Sequence, residues 1–244
     1  MGRLIAVTSG KGGVGKSSVS VNLASALSSE GNSVLLIDLD AGMRCLDLLL
    51  GLSDSLVFDL GDILSGEKNL EEVVLPSSIY PGVSLIAAPL SGKIEPGQLG
   101  DFLKTLPDLY DFIILDFPAG SLDELYSSLP GYTEAIVVCN ADAVSIRDAG
   151  LMGNGIKGLG LLSARLVLNR ADFSHMKQGI TANIDEVIDS TGLRLIAVIP
   201  QSADLYYSAC AGEPLGKKTK AYKAFNRLAK RILGYDIPLE YKKF

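Results

Sequence analysis

The sequence predicts an α/β fold, a mostly parallel twisted sheet with helices on both faces. Three observations predict it. Seven short apolar runs carry no polar alternation, so the strands they form must be buried on both faces. Segments of helical length separate them, giving the βα rhythm that parallel crossovers require. A glycine-rich turn follows the first run and opens the first helix, at the strand end where such sheets place ligands.

In order, strands are predicted at Leu4–Ser9, Ser33–Asp38, Val83–Ala88, Phe112–Asp116, Ala135–Asn140, Arg165–Asn169 and Leu195–Pro200. Helices are predicted at Lys16–Ser29, Gly97–Leu106, Ala143–Leu159 and Ile180–Ser190. Near the end, Tyr222, Phe225, Leu228, Ala229, Ile232 and Leu233 recur at helical spacing, while Lys220, Lys223, Arg227, Lys230 and Arg231 mostly take the rest of the turn. That stripe suits a helix docked on the sheet better than one lying on a membrane. His175 is expected in a loop, and Tyr206 and Tyr207 on a helix surface and in packing.

Composition sets the outer bounds. The 244 residues are 48% hydrophobic and show no repeat, linker or low-complexity segment, so residues 1–244 are expected to form a single domain with a basic C-terminal helix and a short tail. No run of eighteen apolar residues and no leader pattern occurs, which makes a cytoplasmic protein the default. Ala6 stands where a myristoylation site wants Ser or Thr. Cys45, Cys139 and Cys210 are far apart and form no CxxC, which argues against a disulfide framework, a zinc site or a cluster. The net charge of -6 hides an asymmetry, since residues 217–244 hold nine Lys or Arg and two acids against 13 basic and 26 acidic residues upstream. Such a tail is more often a solvated helix face than a nucleic-acid or membrane surface.

The turn reads SGKGGVGKSS, Ser9 to Ser18, and fills GxxxxGK[ST] with Gly10, Gly15, Lys16 and Ser17. The loop from Gly10 through Lys11, Gly12, Gly13, Val14, Gly15, Lys16 and Ser17 to Ser18 would surround phosphates with backbone N–H groups and a helix N-terminus. Lys16 would offset charge on the β and γ oxygens, and Ser17 would ligate Mg²⁺. Lys11 is left without a role inside its own subunit. Asp38 and Asp40 end the second strand, where a carboxylate can face Mg²⁺ or an attacking water. Asp116 follows four apolar residues, as a Walker B acid does, and would hold Mg²⁺ through water.

These motifs resemble the MinD/ParA family of deviant Walker A ATPases, SIMIBI-type P-loop NTPases whose loop reads KGGxGK[ST]. The likeness continues through IDLDAGMRCLDLLLG (37–51), DFIILDFPAG (111–120), AIVVCNADAVSIRDA (135–149), LVLNR (166–170), VIPQS (198–202) and AGEPL (211–215), ordered and spaced as in the cell-division branch. The resemblance implies a switch that dimerises with ATP, hydrolyses it to ADP and phosphate, and serves division-site placement. It implies that Lys11 reaches the other subunit's nucleotide, like an arginine finger. It implies that Asp40 positions or activates the hydrolytic water, that Asp38 lies in the Mg²⁺ shell, and that Pro118 to Gly120 form switch II. Asn169 would bond the adenine edge, with Arg170 beside it and the segment from Pro200 over the base. ATP or ADP and Mg²⁺ are the implied ligands, and MinC-like or MinE-like regulators the implied partners.

The second reading is a ParA-like ATPase that partitions DNA or cargo, with the basic tail on DNA. An amide-forming ligase on this fold needs no trans lysine, so Lys11 argues against it. Iron-protein and iron-sulfur scaffold relatives need bridging cysteines that are missing. Two departures, Cys45 for Asn beside Arg44 and Phe117 for a small residue before Pro118, bear on partner contacts near switch I and leave the nucleotide chemistry intact. The cell-division branch usually finishes with a short basic amphipathic membrane helix, whereas this sequence ends at LEYKKF after Pro238. Weak membrane binding is therefore expected, peripheral at the inner membrane surface where it occurs.

Overall fold

The computed structural model describes residues 2–120, 122 and 124–239. Its elements are β1 (Arg3–Thr8), α1 (Lys16–Ser29), β2 (Val34–Asp38), α2 (Leu46–Leu49), α3 (Leu60–Leu64), α4 (Leu70–Val73), β3 (Leu75–Pro76), β4 (Val83–Ile86), α5 (Pro96–Thr105), β5 (Phe112–Asp116), α6 (Glu124–Ser127), β6 (Glu134–Cys139), α7 (Ala143–Gly158), β7 (Ser163–Ala171), α8 (Phe173–Lys177), α9 (Ile184–Thr191), β8 (Arg194–Pro200), α10 (Ala203–Ala211) and α11 (Lys220–Ile232). The strands form one eight-stranded sheet in the order β3-β4-β2-β5-β1-β6-β7-β8. Every neighbouring pair is parallel except β3 against β4, at the edge.

The strands bury both faces because successive side chains point to opposite sides. Leu4, Ala6, Leu35, Ile37, Ile113 and Leu115 pack on one side with α5, α7 and α9. Ile5, Val7, Val34, Leu36, Phe112 and Ile114 pack on the other with α1 and α11. This is why the runs read as continuous rather than alternating. Each predicted strand is present, Phe112–Asp116 as predicted and the others with ends within about two residues.

Several local expectations are corrected. The two-residue β3 was not anticipated, because two residues leave no periodic signal. The helix expected from Ile180 begins at Ile184, where an Asn183–Glu186 capping box satisfies its first N–H groups. His175 lies in the short helix α8, with its Nδ1 3.5 Å from Asp172. Tyr206 and Tyr207 lie on the surface of the helix α10 as expected, but at 69% and 66% exposed they take no part in the core.

Helix α11 docks as its stripe predicts. Ala221, Ala224, Phe225, Leu228, Ala229 and Ile232 are buried. The helix lies against α1 and β8, and Lys230 reaches Glu30 on the α1 side at 3.7 Å. No described helix is long and apolar enough to cross a membrane. Residues 240–244 of the expected tail lie outside the described residues.

Candidate functional site

The carboxyl ends of β1, β2, β5 and β7 bring the singled-out residues to one edge of the sheet. Two glycines let the loop after β1 fit there. Gly15 takes a left-handed conformation (φ 91°) as the cap of α1, and a Cβ on it would collide with the Asn169 amide. A Cβ on Gly10 would meet the Asp148 carbonyl, so this glycine lets the loop lie against α7. The phosphate loop is thereby held between β7 and α7, with the N-terminus of α1 beneath it.

Lys16 points inward. Its Nζ lies 2.9 Å from Asp116 Oδ2, and both side chains are nearly or wholly buried. The Ser17 hydroxyl donates to the same oxygen at 2.6 Å, and the Ser20 hydroxyl donates to Asp116 Oδ1 at 2.8 Å. Ser20 was not singled out in the sequence, although it stands one turn beyond Lys16, at the i+4 spacing that shares a helix face. Cross-strand register sets Val7 and Asp38 on either side of Asp116. The buried Lys16 and Asp116 charges are tolerable there because they are paired and hydrogen-bonded.

Asp38 is committed to its own turn. Its oxygens accept from the backbone N–H groups of Asp40 (2.9 Å), Cys45 (3.2 Å) and Leu46 (3.3 Å), so one carboxylate holds the segment expected to be switch I. Burial pushes its pKa up to about 6 despite those donors. Asp40 is half-buried, and burial raises its pKa too, opposed by the nearby Lys16 charge. The Cys45 thiol meets the Ser17 hydroxyl, and burial raises its pKa as well. Phe117 fills the position of a small residue by stacking on Tyr126, ring centroids 4.2 Å apart. Beyond it, Gly120 N–H donates to the Ser9 carbonyl at 3.0 Å and ties the expected switch II to the loop entrance.

Lys11 lies apart from this cluster and has a partner after all. Its Nζ is 3.0 Å from Asp142 Oδ1, and both side chains are about two-fifths exposed. Asp142 also caps α7 by accepting from Ser145 N–H. Sequence inspection missed the pairing, because 131 residues separate the two and only the fold joins them.

At the other end, β7 breaks its register with β8 between Leu168 and Ala171. Arg170, at φ 51°, sits in this irregularity, which frees Asn169 and Arg170 from the ladder. The Asn169 amide donates to Val14 O at 2.8 Å, but its buried Oδ1 has no partner. A buried acceptor of this kind is costly unless something donates to it. Asn169, Arg170 and Gly15 line an open cleft of about 470 Å³, within the size range of ligand sites. Pro200 does not, because it is buried in β8, and Gln201 and Ser202 take the place expected for it.

The comparisons with known proteins bear on this geometry. Residues 5–215 match the family model described as the CobQ/CobB/MinD/ParA nucleotide binding domain. The chain belongs to the MinD/ParA family. It is 32% identical to the septum site-determining protein MinD of Bacillus subtilis, over 98% of this chain and 92% of that protein. It superposes on the Aquifex aeolicus MinC:MinD complex with a TM-score of 0.90 and 30% identity, covering 98% of each chain. The Pyrococcus horikoshii septum-site-determining protein MinD complexed with Mg-ADP gives 0.84 at 30% identity, over 97% of this chain and all of that one. The protein is a MinD-like P-loop ATPase, and its ligands are ATP or ADP with Mg²⁺.

The residues present fit that family's ligands. The unpartnered Asn169 Oδ1 can take a base amino group, and the loop glycines leave room for phosphates. Ser17 and Asp116 offer hard oxygen donors, the kind Mg²⁺ uses beside substrate phosphates. When bound, Mg²⁺ neutralises charge on those phosphates.

Proposed function

We propose that the protein works in division-site placement as an ATP-dependent homodimer whose two loop lysines divide the labour. The observation that carries this reading is their contrast, with Lys16 buried on Asp116 and Lys11 partly exposed on the same loop. Lys16 would exchange the Asp116 carboxylate for β and γ phosphate oxygens, and Asp116 and Ser17 are the residues that would hold Mg²⁺. Asp40 orients the attacking water. Asp38 keeps the Asp40 backbone in place and would border the Mg²⁺ held by Asp116 and Ser17. Lys11 leaves Asp142 and meets the partner subunit's nucleotide, adding a cation where transition-state charge develops. Asn169 accepts from the base edge, with Arg170 and Gln201 beside it.

A MinC-like or MinE-like regulator would meet the dimer near switch I, where Met43 and Leu48 are exposed. The docked α11 gives no free apolar face to a membrane, so attachment at the inner membrane surface needs another anchor. One observation favours the second reading, a ParA-like DNA-partitioning ATPase. Lys217, Lys218, Lys220 and Lys223 form an exposed basic run at the start of α11. Cosedimentation with anionic liposomes and with duplex DNA, each with ATP and with ADP, separates the two surfaces.

The direct test is light scattering. ATP with Mg²⁺ should convert monomer to dimer, ADP should not, and Asp40→Ala should trap the dimer by slowing hydrolysis. A dimer that forms without ATP, or none in the trapped variant, would sink the reading.

A further inference from the structure

Helix α10 carries two large aromatic side chains that the fold itself does not use. Tyr206 and Tyr207 are 69% and 66% exposed, on a helix with no buried residue. Their rings stand edge to face, with centroids 5.9 Å apart. Both line the 470 Å³ cleft that also holds Gly15, Asn169, Arg170 and Gln201. Leaving two tyrosine rings in water forgoes the burial that normally accounts for them. Asn169 also lines this cleft and its buried Oδ1 lacks a donor, so one residue of the cleft holds an unmet acceptor while two others hold unburied rings.

We infer that Tyr206 and Tyr207 form the aromatic wall of the base-binding cleft and supply base affinity by stacking. This inference rests on the nucleotide reading above and adds two contacts to it. The two recognition elements are complementary. Stacking accepts any purine face, whereas an amide oxygen that can only accept prefers an exocyclic amino group to a carbonyl. Tyrosine ring contact would therefore set how tightly a base is held, and Asn169 which base.

The chain has nine tyrosines and no tryptophan, so its intrinsic emission reports on tyrosine alone. ADP with Mg²⁺ should quench that emission in the unmodified chain. A Tyr206→Phe/Tyr207→Phe variant keeps the rings, and should retain ADP affinity while losing most of the quench. A Tyr206→Ala/Tyr207→Ala variant should bind ADP about tenfold or more weakly, as expected for a lost stacking contact. It should bind inorganic tripolyphosphate as well as the unmodified chain does. Because both side chains are exposed, both variants should keep the far-ultraviolet circular dichroism of the parent.

Unchanged ADP affinity in the alanine variant overturns the wall. An equal loss for tripolyphosphate overturns it too, since the pair would then act on the loop and not on the base. Failure of the unmodified chain to bind both ADP and tripolyphosphate would instead remove the nucleotide reading on which the inference stands.

Discussion

The two ends of the phosphate loop carry the same residue type in opposite surroundings. Lys16 opens α1 beneath the sheet edge and is held by a wholly buried carboxylate, itself braced by Ser17 and Ser20. Lys11 stands on the loop's outer arm and touches a carboxylate as exposed as itself. The first pair is costly to part and fixes geometry. The second is a surface pair, worth about 0–1 kcal/mol, and can be exchanged for a better partner at little cost. One sequence motif thus holds a fixed cation and a movable one, and burial alone distinguishes them.

The largest effect should come from breaking the fixed end. Lys16→Ala removes a buried charge that meets the phosphates, and ADP affinity measured by calorimetry should fall by roughly three to four orders of magnitude. Lys11→Ala should leave that affinity near its parent value. It should lower partner-stimulated hydrolysis by roughly 10³-fold, about 4 kcal/mol of transition-state stabilisation. Equal affinities for the two variants would erase the contrast.

The fixed end depends on what lies behind it. Helix α11 backs α1, and Phe225 at their contact is 2% exposed. Phe225→Ala should cost about 3 kcal/mol in chemical denaturation, the lower end for such a change because Phe225 also borders two surface clefts. Liposome sedimentation should stay as weak as in the parent. A variant that folds as stably as the parent would show that α11 is not docked.

The same contrast explains how far the sequence could be read. Strands buried on both faces leave uninterrupted apolar runs, the loop glycines are fixed by backbone geometry, and the α11 stripe repeats at 3.6 residues, so each leaves a local trace. The start of α9 was also legible, since Asn183 and Glu186 spell a capping box that periodicity alone overlooked. The partner of Lys11 and the place of Tyr206 and Tyr207 on the cleft were not. Both depend on segments brought together by folding, and neither a cleft assembled from distant elements nor a distant carboxylate has a periodic signature. Asp38 falls between these cases, because its position at a strand end was legible and its three backbone donors were not.

Asp38 also gives the contrast a pH dependence. Its pKa is about 6 in the folded chain against an ordinary 3.8, raised mainly by burial. A raised carboxyl contributes stability in full below about 3.8, and that contribution is lost as pH rises through about 6. Without Mg²⁺ or nucleotide, Asp38→Asn should therefore stabilise the chain above pH 7 by about 1–3 kcal/mol, and the gain should vanish towards pH 4. Thermal unfolding at the two pH values reads this directly. A variant less stable at both would mean that the three backbone donors require a charged acceptor more than burial opposes one.

The smallest effect tests the movable end. Asp142→Asn removes the charge that holds Lys11 but keeps a side chain able to cap α7, since Asn and Asp serve that position about equally. The fold and the affinity for ADP should be unchanged. Lys11 no longer has to leave a carboxylate in either subunit before meeting the other, so ATP-dependent dimerisation in the Asp40→Ala background should tighten, by up to about thirtyfold if each of the two pairs is worth 1 kcal/mol. The gain should shrink as salt rises, because exposed pairs are screened. It should also disappear when Lys11 is already alanine, since nothing is then released. Sedimentation velocity across a concentration series measures all three. If Asp142→Asn instead weakened the dimer, Asp142 would be contributing to the interface itself, and its contact with Lys11 could no longer be read as a resting place that ATP-bound subunits pull apart.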